Sequence, residues 1–113
     1  MTTSITDEQV RQLAETAQPF SVALLWWGPE RHRDGAEAIE REHRRRMVSR
    51  RADGAIAILC PVGSDTLAGV AIMTLSQGDA KEVMDEDPCV RAGMIVCEVH
   101  ACHGFPGDAL PAR

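Results

Sequence analysis

Aromatic side chains are nearly absent, at 4% of the 113 residues: Phe20, Trp26, Trp27 and Phe105, with no tyrosine. Single-stranded nucleic acid is held by bases stacked on successive rings, so a stacking platform is excluded. Positive charge is also in deficit. Twelve Lys and Arg against 17 Asp and Glu leave a net charge of −5, which argues against nucleic acid or an anionic membrane as partner. No stretch approaches the roughly 20 consecutive apolar residues of a membrane span. Residues 1–10 carry acids where a secretory leader would place basic residues and then an apolar core. The four cysteines (Cys60, Cys89, Cys97 and Cys102) form no CxxC pair, and a chain of this length can bury a core without cross-links. They read as reduced thiols, and a cytoplasmic location is expected. A phosphate-cradling glycine loop, a Walker lysine, a serine nucleophile elbow and an HExxH pair are all missing, and no cofactor is expected.

The chain that remains is 44% apolar and 26% charged, the balance of one globular domain. Residues 1–19 read as a helical extension. Ser4 or Thr6 can cap it, Asp7 and Glu8 suit its positive end, and Pro19 stops it. Val10, Leu13 and Ala17 give it a thin apolar stripe, suited to packing on the domain or on a partner subunit. The domain proper spans residues 20–104, with 105–113 as a tail. A strand over 20–27 ends at Gly28-Pro29. A helix over about 36–52 carries Ala36, Ile39, His43 and Met47 in one column and closes at Asp53-Gly54. Strands follow over 55–60 and 67–75. A helix capped by Ser76 runs to about Glu86 and is ended by Asp87-Pro88, and a last strand covers 94–102. The order is helix, then β-α-β-β-α-β, a ferredoxin-like α+β fold with an extra N-terminal helix.

Strand parity bears on assembly. Phe20, Val22, Leu24 and Trp26 oppose Ala23, Leu25 and Trp27, so both sheet faces are apolar, and two helices cover only one. A bare apolar face is expected to pack on the sheet of a second copy, giving a homodimer. The alternative cover is the N-terminal helix.

His43 stands in the apolar column of its helix, where an imidazole is either a general base or a core group bonded to a carbonyl. Asp87 before Pro88 is ordinary turn chemistry. Were it to reach His43, its carboxylate would orient the ring. Cys97, His100, Cys102 and His103 alternate across a strand and cannot converge as four ligands, so no metal site is expected. The arginines at 41, 44, 45, 46, 50 and 51 read as a solvated helix face, with Glu40–Arg44 and Glu42–Arg46 spaced for pairing. Arg91 could meet a substrate anion or pair with Glu86 or Asp87, and the pairing is the simpler expectation.

Two blocks carry a resemblance. Glu42-His43 followed after seventeen residues by Pro61, and Asp87-Pro88-Cys89-Val90-Arg91-Ala92-Gly93, are similar to the histidine-to-AGP spacing and the DPxVxAG signature of the YciI-like (YCII-related) family. The resemblance spans roughly residues 20–103. It implies a dimeric α+β barrel and a His–Asp dyad in a small cleft, falling here on His43 and Asp87. Cys60 and Pro61 would line that cleft, with Arg91 and Trp26 as further substrate-binding candidates. This chain differs at Arg44, where the family has an apolar residue, at Cys60, where it has glycine, and at Cys102-His103-Gly104, where it has a Pro-aromatic pair. The expected function is a cofactor-independent lyase, isomerase or dehalogenase-like enzyme acting on a small cyclic or phenolic molecule. The alternative is a non-catalytic homodimeric module that binds a small ligand or plays an accessory role.

Overall fold

Local chemistry sets the element boundaries. In the computed structural model, which describes residues 4–113, Thr6 accepts from the Gln9 amide while the Gln9 side chain accepts from the Thr6 amide. This reciprocal capping box starts α1 (Asp7–Glu15). Strand β1 (Gln18–Trp27) begins two residues before the expected position, so Pro19 lies within it. Helix α2 (Ala36–Ala52) ends at Asp53, and Gly54 behind it takes the left-handed φ of 87° that such helix ends favour. Strands β2 (Ile56–Pro61) and β3 (Leu67–Met73) form a hairpin. Ser76 caps α3 (Gln77–Asp85). A short helix follows that was not expected, α4 (Pro88–Arg91), and then β4 (Ile95–Gly104). Asp87-Pro88 ends one helix and starts another: proline at the first helical position lacks only an N–H that would have no partner there.

The four strands form one antiparallel sheet in the order β2-β3-β1-β4, compatible with a ferredoxin-like α+β arrangement. Ala23, Leu25, Ala71, Met73, Ile95 and Val99 face the helices and are buried with Met47, Ala80 and Met84. The opposite face carries Phe20, Val22, Leu24 and Trp26 of β1, only half-buried, with Val96 of β4 at 51% exposure. Helix α1 leaves that face bare, because none of its residues is buried.

Gly28 and Gly93 tie the end of β1 to the turn after α4. Gly28 N–H donates to Met94 O at 2.7 Å and Glu30 N–H to Gly93 O at 3.1 Å. A Cβ on Gly28 would lie 2.4 Å from Gly93 O, and Gly93 itself has φ 74°. Only glycine fits the first position, and the second favours it strongly.

Candidate functional site

Asp87 is fully buried, and its Oδ2 is the hub of the site. As N-cap of α4 it accepts from the amides of Cys89 (3.0 Å) and Val90 (3.4 Å). It also lies 2.8 Å from His43 Nδ1. A carboxylate only accepts, so Nδ1 carries the proton and Nε2 is the imidazole's other face. His43 reaches this position because it shares the inward column of α2 with Ile39 and Met47, and its side chain is 16% exposed. Nε2 makes no hydrogen bond among the described residues.

A third side chain was missed from the sequence. Arg46 is 19% exposed and lies with one guanidinium nitrogen 4.0 Å from Asp87 Oδ1 and another 3.7 Å from Glu86. Neither Arg46 Nη1 nor Asp87 Oδ1 has a hydrogen-bond partner among the described residues. The available signal was spacing: Arg46 follows His43 by three residues, hence on the same helix face. Glu42, expected to pair with Arg46, pairs with Arg45 instead (3.3 Å), whereas Glu40 lies 3.7 Å from Arg44 as its spacing suggested.

His43 borders a cavity of about 310 Å³ between α2 and the sheet. Its walls are mainly apolar, with Leu25, Trp27, Met47, Leu59 and Ile95 prominent, and Glu40 and Arg44 add charge. Cys60 and Pro61 line this same cavity. Trp26 does not: it lies on the opposite sheet face, donating to Glu98 Oε1, and the cavity tryptophan is Trp27. Trp27 is held by a bond from Nε1 to Ser64 O (3.2 Å) and by the Arg31 guanidinium 3.9 Å from its ring centre. Arg91 is also outside the cavity. It is exposed and forms no ion pair with Glu86 or Asp87, because α4 turns it outward and Arg46 occupies that place.

Cys89 lies beside the pair, its sulfur within 4.8 Å of the ligating atoms of His43 and Asp87. Burial first, and then the charges of Asp87 and Glu40, push its thiol up to about 12. It therefore stays protonated at neutral pH, unsuited to nucleophilic attack. Asp87 Oδ2 and His43 Nδ1 are already committed to each other, so the three groups fit a hydrogen-bonded cluster better than a cation cage. Burial likewise raises the Cys97 thiol to about 11. His100 lies on the open sheet face 3.2 Å from Glu98, away from Cys97. No protein-family model matches the chain, and no curated protein matches it.

Proposed function

We propose that the chain is a YciI-like, cofactor-independent enzyme in which His43 acts as general base on a small cyclic or phenolic molecule. The observation that carries this reading is the 2.8 Å contact between His43 Nδ1 and buried Asp87, which leaves Nε2 beside an apolar cavity. Nε2 would take a proton from a C–H or O–H of the bound molecule. The imidazolium so formed is stabilised by the Asp87 carboxylate, which holds the ring without taking the proton. Returning the proton to another atom gives an isomerisation. Delivering it to a departing group gives an elimination, the step of a lyase or of a dehalogenase-like reaction. The apolar walls exclude competing water.

The same reading makes the protein a homodimer joined through the open sheet face, where Val22, Leu24, Trp26 and Val96 form an apolar surface of the kind that monomers rarely expose. The four free thiols fit a reducing cytoplasm.

The test is proton exchange. Small phenols and cyclic ketones are incubated with the protein in deuterium oxide, and deuterium uptake is followed by NMR. Uptake that is lost in His43→Ala and reduced at least about a hundredfold in Asp87→Asn supports the base. Binding without uptake, or uptake that survives His43→Ala, replaces the enzyme with the ligand-binding module.

A further inference from the structure

Helix α1 presents a problem of stability. Nine residues are fewer than the roughly 12–15 at which an isolated helix becomes marginal in water, and α1 buries none of its side chains on the rest of the chain. It is nevertheless built as a packing element. Ile5 and Val10 occupy the two positions of a hydrophobic staple, and Leu13 continues their face. Their exposures are 61%, 58% and 51%. The chain is correspondingly elongated, 55 × 33 × 24 Å, with a radius of gyration of 16.6 Å, where a compact chain of this length has about 13 Å.

The joint to β1 holds α1 away from its own domain. Only Thr16 and Ala17 separate the two elements. Their amides donate to Leu13 O (3.0 Å) and Ala14 O (3.2 Å), and the Thr16 hydroxyl donates to Leu13 O (2.7 Å).

A complementary surface exists on the same molecule. At one end of the open sheet face Phe20, Ile58, Ile72 and Cys102 form the floor of an apolar groove of about 590 Å³, walled by the tail through Phe105 and Leu110. Arg51 and His103 border it against the single acid Asp108. Arg51 and Asp108 offset each other, so the arm, with Asp7, Glu8 and Glu15 against Arg11, is matched to the groove through its apolar stripe. We infer that the groove receives α1 of a second copy, and that two protomers exchange these arms reciprocally about a twofold axis. One chain then supplies both the stripe and its receptor, as a closed pairing requires. This rests on the homodimer reading and adds to it a second, arm-in-groove contact.

The experiment uses the full chain. Val10→Asp/Leu13→Asp changes two positions that are exposed within the protomer, so folding is not at stake, and circular dichroism checks this. By sedimentation the dimer dissociation constant is expected to rise more than about tenfold. A photo-crosslinking residue at Leu13, in a mixture of ¹⁵N-labelled and unlabelled protein, is expected to join Phe20, Ile58, Ile72 or Phe105 of the other chain. An unchanged dissociation constant, or crosslinks within one chain, to another surface or not formed at all, overturns the arm exchange. A dimer that survives those results leaves sheet-to-sheet pairing standing alone, whereas a monomeric wild type removes both.

Discussion

Replacing Asp87 should damage the fold in proportion to the bonds lost, and two substitutions separate its roles. In Asp87→Ala three donors lose their acceptor: the Cys89 and Val90 amides and His43 Nδ1. Loss of a helix N-cap costs about 0.5–2 kcal/mol. Leaving the His43 N–H unsatisfied in a site only 16% exposed costs about 1–3 kcal/mol more. The expected loss is therefore about 1.5–5 kcal/mol, a large share of a small domain's stability. Asparagine keeps an acceptor for all three donors. Its cost comes from turning an amide nitrogen toward the Arg46 guanidinium, where Oδ1 stood 4.0 Å away, about 1–3 kcal/mol. Urea denaturation of both variants measures the difference, with His43→Ala/Asp87→Ala as a double-mutant cycle. The cycle should return a coupling above about 1 kcal/mol. Asp87→Ala costing under about 1 kcal/mol, or matching Asp87→Asn with no coupling to His43, would refute the placement of Asp87 as hub of the site.

Three further outcomes follow from the raised thiols of Cys89 and Cys97 and from the glycine clasp. At pH 8 Cys89 and Cys97 should resist iodoacetamide in the folded protein, since their thiols are raised to about 12 and about 11, and labelling at the unfolded rate would contradict that environment. Because the unfolded Cys89 thiol ionises near 9.0 and the folded one near 12, its contribution to stability is complete below pH 9 and lost as pH rises to 12; Cys89→Ala should flatten that part of the pH profile. Gly28→Ala places a methyl 2.4 Å from Gly93 O and should lower the melting temperature by at least about 4 °C; an unchanged melting temperature would show that the β1–α4 junction can part freely.

Much of this architecture is legible in residue patterns. The single column of Ala36, Ile39, His43 and Met47 defines α2 from Ala36 to Ala52, and Ser76 marks the start of α3. Strand parity separates Trp26 from Trp27 correctly. It cannot say which face the helices cover when both faces are apolar, and so Trp26 was put in the cavity that Trp27 lines. The arginine beside Asp87 is equally hidden. Arg91 is near Asp87 in sequence, whereas Arg46 comes from a helix more than forty positions away, and only the packing of α2 on α4 decides between them. Helix α4 escaped because Asp-Pro serves two purposes, closing one turn and opening the next.

The bonds between Gly28 and Met94 and between Glu30 and Gly93 have a mechanical result. They fasten the strand that carries Trp27 to the segment that carries Asp87, so this wall of the chamber and its acid move as one block. On the proposed reading, the bound molecule enters from the far side, where the exposed Pro61 and Val48 border the chamber.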